Sequence, residues 1–316
     1  MEILLKIITN PLLVFKYLAR KNLMSWMPDK MYLQMMYRAI LGRKLNLKNP
    51  QTFNEKLQWL KLYDHNPLYT IMVDKVKAKE YVAEKIGEQY IIPTLGVWKN
   101  VEDIDFNTLP ERFVIKCNHN SGTGMYICRD KNKMNEEQVR KRLKKGLNEN
   151  YYKHWREWPY RDVPRRILAE QYLESEKLSY ENNESEVNAS LVGDLRDYKF
   201  YCFNGEPKLC QVISNRAVDE KIDFYDMHWE RVVGLVGLTM GVHNSEQEIS
   251  CPHSFNDMLR CARILSKDIP FSRIDFYDIN GRAYWGEITL FPASGFGIFT
   301  PDDWNRIIGD WLQLPR

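Results

Sequence analysis

The sequence predicts an α+β fold, helices alternating with antiparallel hairpins. Three observations carry this. Strand-like segments come in adjacent pairs joined by short polar turns: 112–117 with 125–128, 197–203 with 207–214, and the two halves of 273–295 around Asn280-Gly281. Segments with helical spacing, 71–86 before the first pair and 134–149 and 254–267 between pairs, do not follow every strand, as a parallel doubly wound sheet requires. At 316 residues the chain is long enough for a sizeable core divided into two or three subdomains.

Residues 1–66 read as helices and loops punctuated by Pro28, Pro50 and Pro67, with Thr52-Phe-Asn-Glu55 as a capping box. The apolar start, 3–18, is interrupted by Lys6, Pro11 and Lys16, which makes it too short and too broken for a membrane span. It also lacks the basic region and small-residue cleavage site of a signal peptide. A helix packed on its own domain is the favoured reading. Docking of residues 1–25 on an anionic membrane face, through Lys6, Lys16, Arg20 and Lys21, is the second.

The segment 71–86 is expected to be one amphipathic helix, with Val73, Val76, Tyr81, Val82 and Ile86 near one stripe and Gly87 ending it. A short strand follows Pro93. Strands 112–117 and 125–128 flank the polar loop Asn118-His-Asn-Ser-Gly-Thr-Gly124, and Lys116 stands just before it, facing either core or ligand. This loop joins two strands, so it is not a Walker loop. Its backbone N–H groups and the Ser121 and Thr123 hydroxyls still suit phosphate oxygens. After the charged helix 134–149 comes a strand, 166–174, leading into an acidic, exposed segment. In the hairpin 197–214, Asp197, Lys199 and Tyr201 share a face.

The closing hairpin is the most informative stretch. Arg273 and Asp275 share one strand face, as do Glu287 and Thr289, and buried carboxylates are costly unless neutralised. Whether the two pairs meet depends on the loop. A two-residue Asn280-Gly281 turn would pair Asp275 with Gly286 and turn Glu287 away. A three-residue loop would bring all four onto one face.

Net charge is +3, too small to argue for nucleic acid, and the basic runs 140–145 and 161–166 read as solvated faces. Six cysteines, at 117, 128, 202, 210, 251 and 261, form no C-x-x-C pair and no zinc spacing. They read mostly as buried free thiols of a reducing, cytoplasmic compartment. The 40 aromatic residues, 9 Trp, 18 Tyr and 13 Phe, are compatible with sugar binding.

A lysine before a phosphate-like loop, an apolar strand ending Glu170-Gln-Tyr-Leu173 and a carboxylate hairpin follow the order of parts of the ATP-grasp superfamily. The chain closely resembles its teichuronopeptide-biosynthesis-like (TupA-like) branch from about Pro28 almost to the end. The most specific segments are 47–59, 113–122, 197–205 and 286–295. The resemblance implies two α+β subdomains gripping ATP behind a helical extension: 1–66 helical, 67–111 N-terminal, 112–173 central with the phosphate loop, and 174–316 C-terminal with the metal site. It implies that Lys75 and Lys116 contact phosphates and that Ser121, Gly122, Thr123 and Gly124 close over them. Glu170 with the backbone at Gln171 and Leu173 becomes the adenine hinge, and ribose contact falls to Glu174 or Glu176. Asp275 and Glu287 become Mg2+ ligands, with Thr289 where the superfamily usually has a ligating Asn. Arg273 steadies charge at the reacting carboxyl, Lys199 and Arg216 meet phosphate or acidic substrate, and Ser294 and Gly295 bind a carboxylate.

The activity implied is an ADP-forming carboxylate–amine ligase using ATP and Mg2+. Its substrates would be a carboxylate-bearing saccharide or peptide and an amine such as an amino acid, in cell-surface polysaccharide biosynthesis. The competing readings are a metal-dependent glycosyltransferase, which would need neither Lys116 with its loop nor the Glu170 hinge, and a non-catalytic nucleotide-binding protein.

Overall fold

The computed structural model describes residues 11–174, 195–214, 219–238 and 242–315. Helices α1 (Pro11–Arg20) and α2 (Asp29–Leu41) pack Phe15, Tyr32, Leu33 and Tyr37 into a small cluster that also takes in Phe296. Helix α3 (Phe53–Tyr63) starts at the expected capping box: Glu55 N–H donates to Thr52 Oγ1 at 3.3 Å, and Thr52 N–H to Glu55 Oε2 at 3.0 Å. Among the described residues no helix is long and apolar enough to cross a membrane.

The single helix expected over 71–86 is two helices, α4 (Leu68–Val73) and α5 (Lys77–Ile86). Asp74 makes the break. Its backbone is extended, and its buried carboxylate accepts from Val76 N–H at 2.9 Å, Asn118 Nδ2 at 2.7 Å and Arg166 Nη2 at 2.7 Å. Side-chain acceptance of this kind caps a new helix and competes with continuation of the old one.

Strands β1 (Thr94–Trp98), β2 (Phe113–Cys117), β3 (Met125–Cys128) and β4 (Ile167–Gln171) form an antiparallel sheet in the order β1-β4-β2-β3. Alternation sorts its two faces. Phe113, Ile115, Ile167 and Ala169 face helix α6 (Glu136–Asn148), where Val139 and Leu143 are buried, while Val114, Lys116 and Glu170 face away from it. The short helix α7 (Tyr151–Trp155) lies between α6 and β4 in the chain.

The second sheet is built from β5 (Asp197–Phe203), β6 (Glu206–Ser214), β7 (Lys221–Tyr225), β9 (Phe271–Ile279) and β10 (Arg282–Thr289), in the order β10-β9-β5-β6-β7. Strand β8 (Val236–Gly237) pairs separately with β11 (Phe299–Thr300). Helix α8 (Phe255–Ser266) covers the apolar face formed by Phe200, Cys210, Ile274 and Phe276, and α9 (Asp303–Trp311) packs on α3. The other face is aromatic at one end, where Phe203 and Phe271 pack on Phe53 of α3, and polar further along.

The closing hairpin follows neither register anticipated from its loop. The turn has two residues, Asn280 and Gly281, with φ of 54° and 84°, and pairs Arg282 with Ile279. Regular pairing reaches Trp285 opposite Phe276, but then Glu287, not Gly286, stands opposite Asp275. Gly286 is the extra residue of a β-bulge, which returns Glu287 to the face of Asp275. A Cβ at Gly286 would come within 3.1 Å of the Tyr277 ring and 3.3 Å of the Asp275 carbonyl oxygen, so a residue without one fits best there.

Candidate active site

The polar face of the second sheet carries two rows across three strands. Lys199, Asp275 and Glu287 form one; Tyr201, Arg273 and Thr289 form the next. Arg273 binds Asp275 with both arms of its fork, each at 2.7 Å, and also donates to Glu287 Oε1 at 3.1 Å and Thr289 Oγ1 at 3.0 Å. Lys199 is buried, ion-paired with Asp275 and 3.7 Å from Asp197. Its place is therefore beneath the site and not on the surface. Burial pushes the Asp275 carboxyl above its ordinary range, against the pull of Arg273 and Lys199. The Glu287 side chain is 42% exposed at the cleft mouth. Desolvation would raise it too, but Lys75, Arg273 and Lys199 outweigh that effect and hold it down at about 2.

The break between α4 and α5 sets Lys75 against the 118–124 loop. Its backbone N–H donates to Asn118 O at 3.2 Å and its Nζ to Asn120 O at 2.6 Å. Burial lowers its pKa and Glu287 works in the opposite direction. The loop base is fixed: Asn118 also ties Asp74 to the Arg166 backbone, and Asn120 donates to Gly146 O. Above that base Ser121 and Gly122 are exposed, Thr123 is half-buried, and Gly124 is buried against Cys117 and Gly146. His119 is buried between Asn118 and the Glu149 carbonyl, and burial lowers it to about 4, which makes it a neutral structural side chain.

On the first sheet Glu170 is buried between Lys116 and Lys79, the latter at 2.6 Å. Burial raises its carboxyl, but the two lysines outweigh that and leave it low. Lys79 is a site residue that sequence reasoning passed over as one of several lysines on a solvated helix. It also donates to Ile92 O at 2.5 Å and Thr94 Oγ1 at 3.0 Å.

Two cavities adjoin. One is the more apolar, lined by Val114, Met125, Ile127 and Tyr277 together with Lys116, Arg129, Glu170, Gln171, Leu173 and Asp197. The other is polar, and brings Lys75, Ser121, Arg273, Glu287, Thr289 and Ser294 together. Its wall also includes Tyr151, Glu157 and Tyr160, which the sequence reading did not single out. Ala293 and Ser294 hold left-handed backbone, φ 46° and 53°, while Lys61 and Gln58 of α3 donate to the Ser294 carbonyl at 2.7 and 3.2 Å. Gly295 lies behind that wall, its carbonyl taken by Gln58 at 2.8 Å. Glu174 is exposed and paired with Arg112 at 2.5 Å. Glu176 and Arg216 lie outside the described residues, as do residues 1–10.

Among the described residues no group of three His, Cys, Asp or Glu side chains gathers around a metal position. Asp275 and Glu287 stand opposite each other, Asp275 with both oxygens bound by Arg273 and Lys199, and Glu287 with the Thr289 hydroxyl 3.4 Å from its Oε1. Such a hard-oxygen pair fits Mg2+, which commonly takes one or two carboxylates and completes its shell with phosphate and water.

Among solved structures, the D-alanine–D-alanine ligase from Bacillus anthracis complexed with ATP is 14% identical, with a TM-score of 0.38, over 70% of this chain and 54% of that one. The D-alanine–D-alanine ligase from Helicobacter pylori is 14% identical, with a TM-score of 0.39, over 82% of this chain and 69% of that one. The ATP-grasp ligase PsnB, complexed with minimal precursor, Mg and ADP, is 11% identical, with a TM-score of 0.36, over 85% of this chain and 64% of that one. The chain thus spans between about half and two thirds of the length of these proteins. No curated protein sequence matches the chain. A sequence model of the TupA-like ATPgrasp family matches residues 55–313, most of the chain. This protein belongs to the TupA-like ATP-grasp family.

Proposed function

We propose that the protein is an ATP-dependent, ADP-forming carboxylate–amine ligase. The observation that carries this is the convergence of Lys75, Arg273 and Glu287 on one polar cavity, with Asp275 held beneath it by Arg273, and a second cavity lined by Lys116 and Glu170. In this reading the apolar cavity takes the adenine, next to the 170–173 strand end. Lys116 and Lys75 hold phosphate oxygens, with the 121–124 backbone closing over them. Lys199 and Arg273 fix the Asp275 and Glu287 carboxylates in place. Those two carboxylates would hold Mg2+, which supplies charge neutralisation to the triphosphate.

In the first step a substrate carboxylate oxygen forms a bond to the γ-phosphorus and the bond to the β-phosphate oxygen breaks, releasing ADP. In the second, an amine nitrogen bonds to the acyl carbon, the carbon–oxygen bond to phosphate breaks, and phosphate leaves with the electron pair. The amine's surplus protons pass to solvent. In this reading Arg273 steadies the acyl oxygen as charge builds on it. No nucleophilic Ser or Cys is required, and burial holds the Cys117, Cys202 and Cys210 thiols above their ordinary range. The substrate class we assign is an acidic saccharide or acidic peptide joined to an amino acid, on the ground of the family resemblance.

The test is purified protein with ATP, Mg2+, uronic sugars or acidic peptides, and amino acids, read as ADP release and product mass. ADP release that needs both a carboxylate and an amine is the expected result. Turnover of a nucleotide sugar without ATP would overturn the reading.

A further inference from the structure

The polar cavity holds a carboxylate with no part in the chemistry above. Glu157 is only 3% exposed. It accepts from the Ser294 hydroxyl at 2.6 Å, with the Tyr151 hydroxyl close by. Asp74, Glu170, Asp197, Asp223 and Asp275, the other buried acids among the described residues, each have an Arg or Lys at ion-pair distance. Glu157 has none. The Lys61 ammonium, bound to the carbonyls of Trp155 at 2.9 Å and Ser294 at 2.7 Å, lies beyond ion-pair distance, yet its charge is the strongest pull holding the Glu157 carboxyl down. A buried carboxylate with one hydroxyl donor and no cation in contact is expensive, and burial pushes its carboxyl upward against the pull of Lys61. Its position is not accidental to the cavity. Tyr160, beside it, feels the charges of Glu157, Glu287 and Arg273 together.

We propose that this cavity is the amine subsite and that Glu157 receives the ammonium group of a primary amine, with Tyr151, Tyr160 and Ser294 as its walls. A primary ammonium brings both donors and a positive charge into direct contact with the carboxylate. A sugar hydroxyl would supply a donor without a contacting charge, and a substrate carboxylate would be repelled. The cavity also reaches Arg273 and Glu287, so the amine would sit next to the acyl phosphate. That direction of chemistry rests on the ligase reading; ammonium binding does not.

Alaninamide carries an ammonium and no carboxylate, and isobutyramide is its neutral isostere. Saturation-transfer NMR on the full chain should give alaninamide at least about tenfold tighter binding than isobutyramide, the value of a charged hydrogen bond. Glu157→Gln should erase that preference and Glu157→Asp should keep part of it, with ATP affinity unchanged. Equal binding of the two probes by the wild-type chain overturns the proposal even if the Gln variant fails to fold. So does an undiminished preference in a folded Gln variant. Hydroxylamine, uncharged near neutral pH, separates the two readings. Glu157→Gln should still form hydroxamate from the activated carboxylate while amide formation from charged amines falls about 10- to 100-fold. Absence of hydroxamate and ADP from the wild-type enzyme overturns the ligase reading and leaves the ammonium preference standing.

Discussion

Deleting Gly286 should leave the chain folded and Glu287 still opposite Asp275. Pairing is regular from Arg282–Ile279 to Trp285–Phe276, and Gly286 is then passed over so that Glu287 meets Asp275. Removing the passed-over residue joins Trp285 to Glu287 in one unbroken ladder, and no side chain changes face. If Gly286 were instead an ordinary paired residue, deletion would turn over everything beyond it. Ile288 and Leu290, each 3% exposed, would leave the core while Glu287 and Thr289 entered it. Exposing two such aliphatic side chains costs about 3–6 kcal/mol at 1.5–3 each, a large part of a typical total stability of about 5–15 kcal/mol. Loss of the bulge alone should change stability by only about 1 kcal/mol, the ordering entropy of one residue. Urea denaturation followed by near-ultraviolet circular dichroism separates the outcomes. Deleting Tyr284 is the contrast, because Glu287 can keep its partner only if the buried Trp285 turns over. Activity is a second readout. Bulges add local twist, and a displacement near 1 Å costs about 100-fold in rate, so ADP formation should fall in the Gly286 deletion while stability holds. A loss above about 3 kcal/mol, the face-flip scale, would refute the bulge as the device that places Glu287.

Glu287→Gln should abolish ADP formation without lowering the melting temperature at neutral pH by more than a few degrees; retained turnover would remove Glu287 from the site. Its carboxyl is held at about 2, below the ordinary 4.5, so its contribution to stability is present above pH 4.5 and disappears as pH falls through 2. Urea titrations should therefore show the wild type losing more stability than Glu287→Gln across that window, and parallel curves would contradict the charge environment described. Asp74→Ala should cost about 3 kcal/mol, the low end for breaking a buried pair because Arg166 keeps some solvent; a change under about 1 kcal/mol, the value of a cap alone, would show that the pair is not needed. Lys79→Met leaves Glu170 to Lys116 alone and should draw that lysine away from phosphate, weakening ATP binding about tenfold by calorimetry; an unchanged affinity would remove Lys79 from the site.

Strand faces were legible wherever the pattern is local. Arg273 with Asp275 and Glu287 with Thr289 are two residues apart, and alternation alone assigns each pair to a face. Whether the pairs meet was not legible, because a bulge adds a residue that period-two counting cannot see. Gly286 inside an otherwise β-branched and aromatic strand was the available signal. The break at Asp74 was hidden for another reason. Asp near a helix start is unremarkable, and the partners that turn it into a cap, Asn118 and Arg166, lie 44 and 92 residues away. Lys79 gave no signal among Lys75, Lys77 and Lys85, since only the fold sets Glu170 against it. Glu157, in a run of Trp, Arg and Pro, acquires meaning only when every other buried acid is seen to have a cation.

The two cavities are braced by different parts of the chain. The apolar one is walled by strands of both sheets, all inside the segment that the family match covers. The polar one depends on the segment 151–160, whose outer side is held by the N-terminal helices. Arg156 adopts left-handed backbone, stacks 4.2 Å from the Tyr32 ring and donates to the Met24 and Met27 carbonyls at 3.0 and 3.3 Å. Tyr152 donates to Asp29 at 2.7 Å, and Tyr32 to the His154 carbonyl at 2.8 Å. The adjacent residue, Glu157, is thereby fixed on the cavity side. Helix α3 fixes the opposite wall through Lys61, Gln58 and the Ser294 carbonyl. Residues 11–41 thus brace, from outside the 55–313 match, a wall whose cavity-lining residues all lie inside it.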